Sequence, residues 1–188
     1  MLTAEEFDAQ RFELPEGGRW TELHAGEIVT LSPPNDDHGT VVMNLSKALA
    51  NAIRPDSGIY ACFGLGLIVE RRPDSVFLPP ISLYASGPIF AESDKGVSDQ
   101  PPVFIAEVAS TNDRRRNLAA RLTRWLSWGV REVAVFDTHA KIVHVHRRGA
   151  TSVTLQGEEL FCGAPLLPGL ELKVVDIFKP PTWWKKSP

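Results

Sequence analysis

The stretch "VFIAEVAS" (Val103–Ser110) is almost continuously apolar, which predicts a β-strand buried on both faces. It runs into "TNDRRRNLAARLTRWLSWG" (residues 111–129), in which apolar side chains recur at helical spacing and Gly129 marks the C-terminal end. A second apolar stretch, "REVAVFD" (residues 131–137), follows. The order strand, helix, strand predicts a crossover unit that joins two parallel strands.

The remaining segments extend this unit into a larger mixed fold. Thr3 and Glu6 form a capping-box pattern that predicts a short helix from Ala4 to Ala9. The other predicted elements are a hairpin of Trp20–His24 and Glu27–Ser32, a helix capped by Asp36 or Asp37 and running to Ile53, strands at Gly58–Phe63, Leu65–Glu70 and Ile81–Ala85, a loop at Ser86–Pro102, and further strands after Asp137. We therefore expect an α/β (α+β) protein with helices on the faces of a central mixed sheet.

Composition limits the class of protein without naming a function. The chain has 188 residues, a net charge of −3 and 43% hydrophobic content, which is typical of one globular domain, residues 1–188, with a Pro/Trp/Lys tail at 179–188. It shows neither a signal-peptide pattern nor an apolar run long enough for a membrane span. Its two cysteines lack metal-type spacing. The sequence therefore predicts a cytoplasmic protein that does not enter a membrane.

Glu107 is the single carboxylate within the apolar strand. Buried carboxylates are rare unless they are paired, hydrogen-bonded or bound to a metal. Glu107 is therefore a candidate site residue, and a structural ion pair is the alternative.

Arg114, Arg115 and Arg116 place three positive charges in the first turn of the predicted helix, where they oppose the helix dipole. A bound phosphate backbone would offset that cost, which makes the three arginines candidates for nucleic-acid binding. The alternative is a solvated turn capped by Thr111 or Asp113.

"SVFLPPISLYA" (residues 75–85) has the composition of a strand but contains Pro79 and Pro80. Proline donates no backbone hydrogen bond, so we expect the strand to begin after the prolines, at Ile81.

Taken in order, several segments resemble a large bacterial family of restriction-endonuclease-like proteins in the PD-D/E-x-K nuclease superfamily. They are "TAEEF", "WTELHAGEIVTLSPPNDDHG", the strand with Glu107 followed by "VAST", the helix that ends in "WGVREVAVFD", and "LLPGLELKVVDIF". The resemblance implies a Mg²⁺-dependent phosphodiesterase site in which two carboxylates hold the metal and a lysine assists the attacking water. Glu107, Glu22 and His38 match catalytic positions of the family.

The departures from the family pattern fall on the chemistry. Pro80 stands where the family has its metal-binding Asp, and Arg121 stands where it has its Lys, so the motif is degenerate. Asn117 and Trp125 replace a further Asp and a Tyr. Because arginine stays protonated, Arg121 can bind phosphate but cannot act as a base.

These departures predict a restriction-endonuclease-like protein with impaired catalysis. Two alternatives stay open: an active endonuclease in which Glu22, Glu27 and Glu107 hold Mg²⁺ or Mn²⁺, and a protein-interaction module that needs no cofactor. Ser82 and Tyr84 share a strand face with Pro80, and Asp74 lies upstream, but neither route offers a strong replacement ligand. The resemblance makes DNA the candidate partner, and Trp183 and Trp184 are candidate contacts of a homodimer.

Overall fold

The structure, a computed structural model, describes residues 1–85 and 96–183. The helices are α1 (Ala4–Arg11), α2 (Asp36–Ala52), α3 (Asn112–Trp128) and α4 (Val174–Ile177), with a short 3₁₀ turn at Pro15–Gly18. The strands are β1 (Thr21–His24), β2 (Glu27–Thr30), β3 (Ile59–Phe63), β4 (Gly66–Glu70), β5 (Ser75–Phe77), β6 (Ile81–Ala85), β7 (Val97–Ser98), β8 (Phe104–Ala109), β9 (Glu132–Asp137), β10 (Ile142–Arg147), β11 (Val153–Gln156), β12 (Leu160–Cys162) and β13 (Glu171–Lys173). The predicted α+β class is confirmed.

A six-stranded mixed sheet forms the centre, with strand order β11-β10-β9-β8-β6-β3. Strands β8 and β9 are parallel and are joined by α3, so the predicted crossover is present. On one face of the sheet, Val41, Leu45 and Leu49 of α2 pack against Ile81 and Val108. This packing holds the N-terminal end of α2 over the strand that carries Glu107.

The other face of the central sheet is covered by α3. Trp125, which is fully buried, packs there with Ile105, Val133 and Phe77. Phe77 belongs to a second sheet with strand order β2-β1-β5-β4-β7, which the sequence did not predict. The second sheet therefore lies beside α3 and brings the first hairpin toward the central sheet.

Local signals account for the first hairpin. Both residues of the Ala25-Gly26 turn have positive φ, 49° and 80°, the backbone that a tight two-residue hairpin requires. A Cβ at position 26 would lie 2.8 Å from the Cβ of Met1, so the close approach of the N-terminus also requires glycine there. The turn fixes the register in which Glu22 lies opposite Val29.

Several predicted boundaries need correction. The N-cap residue of α2 is Asn35, so neither Asp36 nor Asp37 is the cap. Both lie in the first turn, where their negative charges interact favourably with the helix dipole. The first helix continues to Arg11, and its Thr3–Glu6 capping box is confirmed. Of the predicted loop at Ser86–Pro102, residues 86–95 lie outside the described residues, and Val97–Ser98 form β7, which pairs with Gly66 and Leu67. As predicted, Pro79 and Pro80 lie before the strand, because β6 begins at Ile81.

No helix in the described part of the chain combines the length and apolar character needed to cross a membrane.

Candidate functional site

Three distant parts of the chain bring charged side chains together beside the central sheet. Glu107 lies in the middle of β8, Glu22 lies on β1 of the second sheet, and Arg121 is on the face of α3 that covers both. All three side chains are buried, with exposed fractions of 7%, 1% and 9%. The lone carboxylate of the apolar strand therefore belongs to a buried charged group.

Arg121 bonds both carboxylates at once. Its Nη1 donates to Oε1 and Oε2 of Glu22 at 2.8 and 2.7 Å, and its Nε donates to Oε1 of Glu107 at 3.0 Å. Its Nη2 lies 2.9 Å from the same Glu107 oxygen. The guanidinium also lies over the ring of Phe77, 4.7 Å from its centroid. We call Glu22, Glu107 and Arg121 the charge cluster.

Neighbouring groups complete the hydrogen bonding of the two carboxylates. Trp125 Nε1 donates to Glu107 Oε1 at 2.7 Å, and the backbone N–H of Leu78 donates to Glu22 Oε1 at 3.1 Å. His24 Nε2 lies 2.9 Å from Glu22 Oε2. Glu107 Oε2 has no hydrogen-bond partner among residues 1–85 and 96–183. One oxygen of the cluster thus stays available.

The pKa values follow from this arrangement. Burial alone would raise the pKa of Glu22, but the charge of Arg121 and hydrogen bonds from His24, Arg121 and Leu78 lower it to about 2. Burial would likewise lower the pKa of Arg121, but Glu107 and Glu22 raise it above its ordinary value. At neutral pH Glu22 is therefore a carboxylate and Arg121 a cation.

The charge cluster lines a cavity of about 510 Å³ between the first hairpin, α2 and the two sheets. Apolar side chains form much of the rest of the wall, including Trp20, Val42, Met43, Phe63, Leu78 and Pro80. The volume falls in the range of small-molecule sites, which are typically apolar with a few placed polar groups.

His38 also reaches this cavity, at the start of α2. Its Nδ1 lies 3.0 Å from Ser110 Oγ, and its ring meets the ring of Trp20 edge-on with centroids 5.7 Å apart. Burial and the positive charge of Arg114 lower the pKa of His38 to about 4. The imidazole is therefore neutral at physiological pH.

The three consecutive arginines are placed differently from one another. Arg114 turns toward the hairpin, where Nη1 donates to Ser32 O at 2.7 Å and to Thr111 Oγ1 at 2.9 Å. Among the described residues, the side chains of Arg115 and Arg116 make longer contacts, at 3.4 to 3.9 Å, with Asn112 and Asp137. Arg115 and Arg116 are thus the two with side chains left for an external anion.

Asp113 lies in the first turn of α3, whose N-cap residue is Thr111 and has no side-chain capping bond to the helix. Its Oδ2 accepts the N–H of Ser32 at 2.7 Å, and its Oδ1 accepts the N–H of Arg114 at 2.9 Å and the hydroxyl of Thr111. Burial alone would raise the pKa of Asp113, but these bonds lower it to about 2. Asp113 therefore fastens α3 to the chain that follows the hairpin.

The residues present do not fit the magnesium site that the family pattern implies. Pro80 lines the cavity but brings no side-chain oxygen, and Glu22 and Glu107 are both bonded to Arg121. Within the described ranges, no three His, Cys, Asp or Glu side chains lie close enough together to hold a metal ion. A magnesium ion needs several oxygen ligands in an octahedral shell.

The structure does not bring Glu27 together with Glu22 and Glu107, the three carboxylates of the active-endonuclease alternative. Glu27 begins the edge strand β2, is exposed, and faces His24, whose imidazole already contacts Glu22. The side chain of Glu27 is not among those that line the cavity.

The other candidate replacement ligands also lie away from the cavity. Asp74 accepts the N–H of Ala4 at 2.8 Å and pairs with Arg71, which ties the β4–β5 turn to α1. Ser82 and Tyr84 are buried farther along β6, where Tyr84 stacks on Tyr60. None of the three lines the cavity.

Sequence reasoning missed His24 and Trp20 as members of the site. Strand alternation was the available signal, because residues 22 and 24 of a strand share one face and Trp20 immediately precedes it. Trp183 of the tail is 69% exposed, whereas Trp184 lies outside the described residues, so the homodimer stays a prediction.

The mixed central sheet, the crossover helix and the charged group on β8 define a protein of the restriction-endonuclease-like class. A sequence model of the Uma2 family, described as putative restriction endonucleases, matches residues 4–175, and the chain belongs to this family.

A solved structure shares the fold. The crystal structure of a putative nuclease of the DUF820 group from Anabaena variabilis ATCC 29413 aligns with a TM-score of 0.76 and 19% identity, covering 95% of this chain and 98% of that one. At this identity the likeness concerns the fold alone. A search among curated proteins found no match.

Proposed function

We propose that this protein is a restriction-endonuclease-like protein that has lost metal-dependent cleavage, with Arg121 in the role of the cation between its two site carboxylates. One observation carries the proposal: the Arg121 guanidinium hydrogen-bonds both Glu22 and Glu107 at 2.7 to 3.0 Å. Carboxylates held in this way are already compensated, so a divalent ion would have to displace a buried, permanently charged side chain.

Arg121 also changes the chemistry open to the site. A lysine at this position would be a compact charge able to steady or orient an attacking water. A guanidinium stays protonated at every accessible pH, and here its N–H groups donate hydrogen bonds to the two carboxylates. No proton transfer through position 121 is expected.

The competing function is an active Mg²⁺-dependent endonuclease. Glu107 Oε2 favours it, because this oxygen lies without a hydrogen-bond partner among the described residues and its carboxylate lines the cavity. Mg²⁺ can work with one or two carboxylates when water and substrate phosphate complete its shell.

A plasmid-nicking assay in Mg²⁺ and in Mn²⁺ separates the two functions. We expect purified wild-type protein to nick no faster than Glu107→Gln, whose side chain is nearly the same size. We expect the double variant Pro80→Asp, Arg121→Lys to bind Mn²⁺ by calorimetry, because it restores an oxygen ligand and frees both carboxylates. Wild-type nicking that Glu107→Gln abolishes would contradict the proposal, whether or not the double variant folds.

DNA is the proposed partner, bound through Arg115 and Arg116 at the start of α3. An arginine that neutralises a phosphate releases counterions, so its removal makes the affinity less dependent on salt. We expect Arg115→Ala with Arg116→Ala to weaken duplex binding and flatten its salt slope by about one to two. Arg131→Ala with Arg148→Ala is the matched control, because these two exposed arginines lie outside α3. If the Arg115/Arg116 and Arg131/Arg148 double variants change duplex affinity and salt slope equally, the interaction-module alternative is favoured.

A further inference from the structure

We propose that the cavity binds a small planar aromatic carboxylate that carries a hydrogen-bond donor at the end opposite its acid group. The cavity volume of about 510 Å³ suits a two-ring molecule, and Trp20, Phe63, Leu78 and Pro80 supply apolar wall for the rings. The proposal concerns a ligand other than DNA and does not depend on whether cleavage has been lost.

The available polar groups select this chemistry. Six charged side chains line the cavity: Arg19, Glu22, Glu107, Asp113, Arg114 and Arg121. All except Arg19 are engaged within the protein, in the charge cluster or in the bonds that join α3 to the hairpin. Arg19 is exposed and has no hydrogen bond or ion pair among residues 1–85 and 96–183. It is a natural partner for an acid group at the cavity mouth.

Glu107 offers a hydrogen-bond acceptor in the wall of the cavity, so a ligand there needs a donor. Glu107 is 7% exposed, its Oε1 accepts from Arg121 and Trp125, and its Oε2 has no partner in the described part of the chain. This oxygen is open to the cavity and is not enclosed by protein, so a ligand hydroxyl can reach it and donate a hydrogen bond to it. A nucleotide fits this wall less well, because its sugar and base would bring more polar atoms than the wall can satisfy.

Calorimetry in EDTA tests the ligand class with 6-hydroxy-2-naphthoate, 2-naphthoate, 2-naphthol and adenosine monophosphate. We expect 6-hydroxy-2-naphthoate to bind at least about threefold more tightly than either naphthalene that lacks one of its polar groups, which corresponds to one modest hydrogen bond or exposed ion pair each. Tighter binding of adenosine monophosphate, or no binding of the hydroxynaphthoate at millimolar concentration, overturns the proposal.

Two pairs of variants locate the site. Arg19→Gln should weaken hydroxynaphthoate binding about threefold, the scale of one exposed ion pair, whereas Arg54→Gln, an exposed arginine beyond α2, should leave it unchanged. Phe63 lines the cavity at the end of β3 and is 54% exposed, so it tolerates a charge. Phe63→Glu should weaken binding more than Phe63→Lys does. Equal affinities for Phe63→Glu and Phe63→Lys, or an unchanged affinity for Arg19→Gln, would place the ligand elsewhere and refute the assignment.

Discussion

Replacement of Arg121 by methionine removes the cation of the charge cluster while it keeps most of the side-chain volume. Glu22 and Glu107 then stay buried without their shared partner. The pKa of Glu22 indicates the scale of the loss, since burial raises it and the interactions led by Arg121 bring it from 4.5 to about 2. Such a difference corresponds to about 3 kcal/mol at neutral pH. Removing one partner of a buried pair costs about 3–5 kcal/mol. We expect Arg121→Met to lower the free energy of unfolding at pH 7.5 by about 3–5 kcal/mol.

The pH dependence distinguishes this cause from a simple packing defect. In the wild type, the pKa of Glu22 is lower in the folded state, so its stabilisation is present above pH 4.5 and is lost as the pH falls toward 2. In Arg121→Met, burial acts without the cation, so the pKa of Glu22 should rise above 4.5 and stability should be lost as the pH rises through the new value. The deficit of the variant should therefore shrink between pH 7.5 and pH 5.

Urea denaturation followed by circular dichroism at both pH values measures the deficit. Arg124→Met is the matched control, because Arg124 is one turn away on α3 and pairs at 3.3 Å with Glu70 in a largely exposed setting. That control should lose less than about 1 kcal/mol. A deficit for Arg121→Met below about 1 kcal/mol, or one that is equal at pH 5 and pH 7.5, would refute the reasoning.

Three further predictions concern the neighbours of the cluster. The pKa of His38 is lowered from 6.5 to about 4 in the folded protein. The free energy of unfolding of the wild type should therefore decrease by up to about 3 kcal/mol through this residue as the pH falls from 6.5 to 4. His38→Asn should flatten that slope in urea melts; an unchanged slope would contradict it. Asp113→Ala removes the acceptor for two backbone N–H groups and should cost about 1–2 kcal/mol in thermal melts, more than Asp113→Asn. Trp125→Phe removes the Nε1 donor to Glu107 and should cost about 1–3 kcal/mol in urea; wild-type stability would show that the bond adds nothing.

The elements that the sequence predicted well are those whose signals are local. The capping box of α1 lies within four residues, the turn of the first hairpin is one dipeptide, and the crossover around α3 is contiguous. Each depends on backbone preferences and spacing that neighbouring residues carry. The boundary errors at Asn35 and Arg11 are shifts of one or two residues, within the usual uncertainty of helix ends.

The second sheet could not be predicted in the same way. Strand β5 has three residues and β7 has two, and neither is long enough to show alternation. Their partners are remote, since Leu23 pairs with Val76 and Gly66 pairs with Val97. Strands this short exist because longer strands and packed helices hold them, so tertiary context decides them. That sheet carries Glu22 into the site.

One part of the charge cluster could be predicted from the sequence, and the other part could not. Glu107 was identifiable from the sequence because a carboxylate in an apolar strand needs a partner. The identity of that partner was not, because Arg121 is 14 residues away from Glu107 and 99 from Glu22 along the chain. The resemblance marked positions 22, 107 and 121 as site positions, yet it led to the expectation of carboxylates open to a metal. Only the fold reveals that the arginine bonds both.

We propose that Pro80 and Arg121 act as a pair, and the double variant tests this. An aspartate at position 80 would join Glu22 and Glu107 as a further carboxylate in the wall of the cavity. Three carboxylates repel one another unless a divalent ion compensates them, whereas two can be satisfied by one guanidinium with five donors. A lysine has three donors on one nitrogen and matches two separate carboxylates less well. Pro80→Asp alone should add an uncompensated charge beside Arg121, and Arg121→Lys alone should free carboxylates that are too few for a tight octahedral shell. Neither single variant should bind Mn²⁺ as the double variant does, and equal binding by either one would mean that the two positions are independent.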